Sequence, residues 1–187
     1  TSHHEHLQAI TDATKQGVSL TRSLLAFSKR QPFNKNIVEL DNVLKSVIPL
    51  IKTALGAQFE FELNDNCISR KLAGDLAQLE SMFLNMAINA RDAMNGSGNF
   101  TINIEDRSVL ENDHQSQFLE QGDYVLIQFS DTGSGIATEV IDKIFDPFFS
   151  TKALTKGTGL GLSMIYTYVD QCGGHIFVDS KLGEGTT

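Results

Sequence analysis

Apolar residues fall into two rhythms along this chain, one of three-to-four residues and one of two. Over residues 6–29, Leu7, Ile10, Ala13, Leu20, Leu24 and Phe27 recur mostly three or four apart, which predicts a helix with a narrow apolar seam for a partner helix or a second subunit. Gln31-Pro32 ends it. Ile37, Val38 and Leu40 predict a short strand, followed by a helix to about Leu55, capped by Asp41 or Asn42 and bent at Pro49. Alternation in residues 58–63 and 70–73 predicts two further strands. In residues 78–94, Leu79, Phe83, Met86, Ala90 and Ala93 form a helical stripe. Asn95-Gly96-Ser97-Gly98 then turns the chain into a strand with Phe100, Ile102 and Ile104. Residues 108–122 read as a polar loop, and residues 123–130 as the strongest strand, with Val125, Ile127 and Phe129 on one face. A short helix over residues 138–144, a helix over 160–172 stopped by Gly173-Gly174, and a last strand over 175–179 complete the pattern. Interleaved helices and antiparallel-looking strands predict helices on one face of a mixed sheet.

Composition narrows the function. The 187 residues are 41% hydrophobic, enough for one core plus an appended helix. No apolar run reaches the ~20 residues of a membrane span, and the start lacks a secretory plan, so we expect no membrane contact by this stretch. With 15 Lys and Arg against 23 Asp and Glu, the net charge of −8 repels phosphodiester backbones, and nucleic-acid binding is not expected. Cys67 and Cys172 stand singly, without metal-ligand spacing, which fits a reduced cytoplasmic compartment.

Three groups of residues change the picture. Asn85, Asn89 and Asp92 sit at i, i+4 and i+7 of the predicted helix, stacking polar groups beside its apolar stripe. Their reading alone is either a half-exposed polar edge or a set of ligand-facing groups. Asp131-x-Gly133-x-Gly135 puts a carboxylate at the end of a strand beside two glycines, either an ordinary turn or a slot where a flat ligand meets the backbone and an acceptor selects an exocyclic amine. Gly157, Gly159 and Gly161 open onto a helix whose free N–H groups suit an anion, with Lys152 and Lys156 alongside; the spacing is neither a Walker A loop nor a Rossmann fingerprint. An Asn oxygen can ligate Mg²⁺. Together the three groups describe an ATP site.

The blocks NMAINARDA (85–93), DTGSGI (131–136), FDPFFSTK (145–152) and GTGLGL (157–162) resemble, in this order, the N, G1, F and G2 boxes of sensor histidine kinases. That family shares an ATPase superfamily with gyrase, the mismatch-repair ATPase MutL and a heat-shock chaperone. GEGTT (183–187) is similar to the start of the last glycine block, which looks cut short, and LTRSLLAFSKRQP (20–32) resembles the second helix of the dimerisation and phosphotransfer hairpin. The resemblance implies an α+β, two-layer α/β sandwich of the Bergerat type: a mixed sheet covered by helices on one face, with an N-terminal helix. It divides the chain into a hairpin helix at 1–32 and an ATP-binding catalytic domain at 33–187.

By the same resemblance, Asn89 is the Mg²⁺ ligand and Asp131 the acceptor of the adenine amine. Gly133, Gly135 and Ile136 shape the base pocket, and Gly157, Thr158, Gly159, Leu160, Gly161 and Leu162 form the phosphate-covering lid. Asn85 and Asp92 line the metal and phosphate side, Lys152 reaches toward phosphate, Phe149 (with Phe148) belongs to the F box, and Thr186 lies near the nucleotide. The implied cofactors are ATP and Mg²⁺. The implied partners are a second copy in a homodimer, an acceptor histidine helix and a response regulator receiver domain.

Hydrolases of the superfamily carry a glutamate one turn before the metal Asn; Asn85 stands there, a poor base, which favours phosphoryl transfer over hydrolysis. Glu80, nine residues before Asn89, should point elsewhere. His4 lies only 16 residues before Leu20, too close for an intervening turn and helix, so the acceptor histidine is expected outside this stretch. His3, His4 and His6 read as solvated, His114 as a loop residue and His175 as structural. The other reading is a nucleotide-gated assembly module without phosphotransfer.

Overall fold

The structure, a computed structural model, describes residues 35–111, 117–151 and 158–187. The predicted N-terminal helix, His3, His4, His6, His114, Lys152, Lys156 and Gly157 lie outside the described residues.

Strand β1 (Asn36–Glu39) runs directly into helix α1 (Leu40–Leu55). Neither Asp41 nor Asn42 caps that helix. It begins at the fully buried Leu40, whose N–H is satisfied instead by the carbonyl of Arg70 at 2.7 Å, while Glu39 occupies the cap position without a side-chain bond. Asp41 bonds the Arg70 guanidinium. Helix α1 runs continuously through Pro49.

Strands β2 (Phe59–Asp65) and β3 (Lys71–Gly74) follow, then helix α2 (Leu76–Met94), strand β4 (Gly98–Val109) and strand β5 (Gly122–Asp131). Strand β4 extends into what the sequence suggests is a polar loop, because Val109 is buried and pairs with Gly122. Short helix α3 (Thr138–Ile141), helix α4 (Gly161–Cys172) and the small strands β6 (Ser180–Lys181) and β7 (Gly185–Thr186) complete the described chain.

The main sheet has the order β2-β4-β5-β7-β6, and β1 and β3 form a separate antiparallel pair. Strands β2 and β4 are parallel, whereas β4–β5, β5–β7 and β6–β7 are antiparallel. A parallel pair needs a crossover, and here β3 and α2 supply it, which lays α2 on the sheet. Phe83 of α2 meets Phe129 of β5 edge-on, with ring centroids 5.2 Å apart, in a core shared by α1, α2, α4 and the helix-facing side of β2 and β4. The expected mixed sheet with helices on one face is what the chain forms.

The residue register of α2 differs from its predicted stripe. Leu79, Phe83 and Ala90 are buried, joined by Met82, Ala87 and Met94, while Met86 and Ala93 are only half-buried. Ala93 borders the loop after β5 and not the core. Residues 175–179 are not a strand: Ile176 packs on the core, but ladder bonding starts only at Asp179, which exchanges two backbone bonds with Thr187 at 2.8 and 2.9 Å. None of the described helices is long and apolar enough to cross a membrane.

Candidate functional site

The polar helix α2 is fixed at both ends. Asp75 caps its start by accepting from the Gln78 N–H at 3.0 Å, and Asn95 turns it off in the left-handed conformation with φ 48°. The last turn of any helix leaves carbonyls unpaired. The Ala93 carbonyl takes the Ser134 N–H at 3.0 Å, so the loop following β5 is fastened to the end of α2. Thr132 adds a second fastening, donating its N–H to Asn99 O at 3.2 Å and accepting the Asn99 N–H on Oγ1 at 3.0 Å.

Asp131 is the last residue of β5, on the same face as Val125, Ile127 and Phe129, which pack against the core. Burial pushes its carboxyl pKa above the usual carboxylate value, opposed by backbone N–H bonds from Gly133 and Thr186. The Gly133 bond to Oδ1 is 2.8 Å long. Gly133 is buried so closely that a Cβ there would lie 2.8 Å from the Ala93 Cβ. At Gly135, φ is +66° and a Cβ would lie 2.1 Å from the carbonyl oxygen of Lys181, so the loop rests on the β6–β7 hairpin. Gly183 N–H bonds Ser134 O at 2.7 Å, and Ile136 N–H bonds Ser180 Oγ at 2.9 Å. Thr186 is the ladder partner of Asp131.

Asn85 and Asn89 are half-buried one turn apart. Gly161, the first residue of α4, stands where an added Cβ would be 4.0 Å from Asn85 Cγ, so the start of α4 and the polar edge of α2 come together. Leu160 precedes the helix and makes no side-chain cap bond, so among the described residues the cap position leaves the first-turn N–H groups to other partners. Thr158 Oγ1 accepts the Leu160 N–H at 3.4 Å, and Leu160 is buried while Thr158, Gly159 and Leu162 are half-buried. The Phe148–Phe149 turn grips this segment. Gly159 O accepts the Phe148 N–H at 2.9 Å, and a Cβ on Gly159 would come within 2.5 Å of the Phe148 backbone. Phe148 is exposed and Phe149 half-buried.

Asp92 holds Arg91 on Oδ1 at 2.8 Å, and the same guanidinium reaches the Ala54 carbonyl at 2.9 Å. Part of its carboxylate is therefore engaged in joining α2 to α1. Glu80 bonds Ser46 of α1, on the side of α2 away from Asn89, as its nine-residue spacing requires. Sequence reasoning missed Ser180, and placed Ser134 and Gly185 only within the blocks DTGSGI and GEGTT, without a role of their own. A Cβ on Gly185 would lie 2.0 Å from Asp131 O.

The family profile described as histidine kinase-, DNA gyrase B- and HSP90-like ATPase matches residues 74–187. The chain belongs to this ATPase family. The sensor kinase CckA of Brucella abortus is 39% identical over 181 residues, covering 95% of this chain and 19% of that protein. The chain thus spans about a fifth of that relative's length. Among solved structures, full-length ShkA in complex with AMPPNP superposes with TM-score 0.73 at 21% identity, over 100% of this chain and 37% of ShkA. Histidine kinase ThkA in complex with the response regulator TrrA superposes with TM-score 0.70 at 20% identity, over 97% of this chain and 48% of ThkA. These two likenesses show a shared fold.

Proposed function

We propose that residues 33–187 are the catalytic domain of a sensor histidine kinase, binding Mg·ATP and directing its γ-phosphate to a histidine on another segment. The observation that carries this reading is the meeting of Asn85 with the start of α4, while Asp131 lies half-buried beside Gly133 across the end of α2.

Each end of a nucleotide finds fitting chemistry. Asp131, acceptor-only when ionised, takes the exocyclic amine of adenine, in a loop that Gly133 and Gly135 let lie close against Ala93 and the β6–β7 hairpin. Ile136 follows in the same loop and Thr186 flanks Asp131. At the other end, the N–H groups that open α4 at Gly161 and Leu162 receive phosphate oxygens, with Gly157, Thr158, Gly159 and Leu160 closing over them and Lys152 reaching in. Phe149 anchors that lid through its turn with Gly159.

Among the described residues no group of three His, Cys, Asp or Glu side chains can hold a metal by itself. Asn89 would therefore hold Mg²⁺ as one oxygen ligand, the rest coming from phosphates and water, and the ion would supply charge neutralisation on the phosphates. Asp92 lines this side together with Asn85. Asn85 orients phosphate without abstracting a proton from water, which preserves the nucleotide for transfer. Closure of the glycine segment excludes water from the phosphates.

Residues 1–32 supply the second hairpin helix through which two copies pair, and a receiver domain accepts the phosphoryl group. The unit acts in the cytoplasm. Labelled Mg·ATP with a separately supplied hairpin tests this: label on the hairpin histidine is expected, and nucleotide binding with no transfer would give the assembly-module reading instead.

A further inference from the structure

Three side chains form a row across three strands beside the base end of the site. Asp131 pairs with Thr186 between β5 and β7, and Thr186 pairs with Ser180 between β7 and β6. Directly opposed residues in a ladder carry their side chains on the same face. The row therefore reads carboxylate, hydroxyl, hydroxyl, continuing the helix-facing side of β5. Ser130 and Thr187, the next opposed pair of the same antiparallel register, join their hydroxyls at 3.1 Å on the other face.

Ser180 Oγ has three partners. It accepts the Ile136 N–H at 2.9 Å, donates to Gly185 O at 2.9 Å, and lies 2.9 Å from Thr186 Oγ1. A serine hydroxyl has one hydrogen and two lone pairs. Its hydrogen is used on Gly185 O, so the bond between the two hydroxyls is donated by Thr186. The Thr186 hydrogen thus points away from Asp131, and both lone pairs of that hydroxyl remain as acceptors.

We propose that Ser180 is a positioning residue that makes the base edge of the site an all-acceptor edge. It does so by consuming the Thr186 hydrogen, and it holds the Asp131–Ile136 loop by the Ile136 N–H. Asp131 and Thr186 then both present acceptors, which favours a purine with an amine at position 6 and opposes one with a carbonyl there, whose oxygen would face two acceptors and no donor. This inference rests on the ATP-site reading above and adds its base selectivity.

Inosine triphosphate isolates the effect, since it replaces the 6-amine of ATP by a carbonyl. Affinities of ATP and inosine triphosphate, each with Mg²⁺, are measured by competition against a fluorescent ATP analogue on the 187-residue chain and on Ser180→Ala and Ser180→Thr. In Ser180→Ala the ATP affinity falls about fivefold, the value of one hydrogen bond, while inosine triphosphate affinity holds or rises because Thr186 becomes free to donate. Ser180→Thr keeps the hydroxyl and restores the wild-type ratio. An unchanged ratio in Ser180→Ala overturns the proposal, as does an equal loss of both nucleotides that Ser180→Thr fails to restore, which marks a purely structural serine. Wild-type protein that binds neither nucleotide overturns the ATP-site reading itself; wild-type protein that prefers ATP beside a Ser180→Ala variant with the same preference overturns the role of Ser180 alone.

Discussion

Gly135 rests on the carbonyl of Lys181: a Cβ at residue 135 would be 2.1 Å from that oxygen, and its φ is +66°. The neighbour is backbone in a hairpin, so it cannot swing aside as a side chain tip can. Gly135→Ala is therefore expected to cost about 2 kcal/mol or more, combining left-handed strain with displacement of the hairpin. Gly183→Ala is the control, since its φ is also positive at +86° but nothing lies within 4 Å of an added Cβ. It should cost about 1 kcal/mol, from backbone strain alone. Urea denaturation of the two variants checks the difference, and equal losses would show that contact with Lys181 carries no energy.

Asp131→Asn separates binding from stability. Burial raises the folded pKa of this carboxyl, so the ionised group is disfavoured in the ligand-free protein. The sign follows: a raised carboxyl pKa gives stability that is present below the unfolded pKa and lost as pH rises through the folded value. At neutral pH the neutral amide should leave the fold as stable as wild type or more so. ATP affinity should fall about tenfold to a hundredfold, the range for a hydrogen bond to a charged acceptor. In the wild type, ATP affinity should decline on acidification through a pKa above the ordinary carboxylate value, since protonation removes the acceptor. Calorimetric titrations across pH, with thermal melts of both proteins, check each part.

How far the sequence reached follows from how local each relationship is. Asn85 and Asn89 are four apart on one helix, and helical periodicity alone aligns them. Asp131 ends an alternating strand, so its face follows from Phe129. The Ser134 bond to Ala93 and the Ser180 bond to Ile136 join residues 41 and 44 apart, and no periodicity encodes such pairs. The same reason explains Ala93: its spacing fits the apolar stripe, but the loop after β5 docks on it, whereas Met86 packs on the core while only half-buried. Residues 175–179 alternate like a strand, yet a ladder needs a neighbour's backbone, and bonding begins only where Thr187 meets Asp179.

Asp106 should govern acid stability away from the site. Its carboxylate accepts from the Ser69 hydroxyl and from the backbone N–H groups of Ile68 and Ser69, which hold its pKa down at about 2, from an ordinary 3.8. The Ile68 bond is 2.6 Å and the Ser69 backbone bond 3.2 Å. A depressed carboxylate pKa contributes stability that is present above the unfolded value and lost as pH falls through the folded one, here between pH 3.8 and about 2. Asp106→Asn should lower the urea midpoint at pH 7 and flatten the acid limb in that window. A variant whose midpoint falls with acid as steeply as the wild type's would exclude this clamp as the source.

Asn89→Ala tests the metal side. Asn89 is half-buried on α2, where alanine is the better helix former by roughly 0.5 kcal/mol, so the helix should be unharmed and the melting temperature unchanged or slightly raised. In the proposed site the adenine contacts run through Asp131, at the other end of the nucleotide from Asn89. Two-arm calorimetry follows from this separation. Without Mg²⁺ the variant and wild type should bind ATP equally weakly; with Mg²⁺ the wild type should gain affinity and the variant should not. Equal gains in both proteins would remove Asn89 as the ligand. Loss in both arms would instead place it in contact with the nucleotide itself.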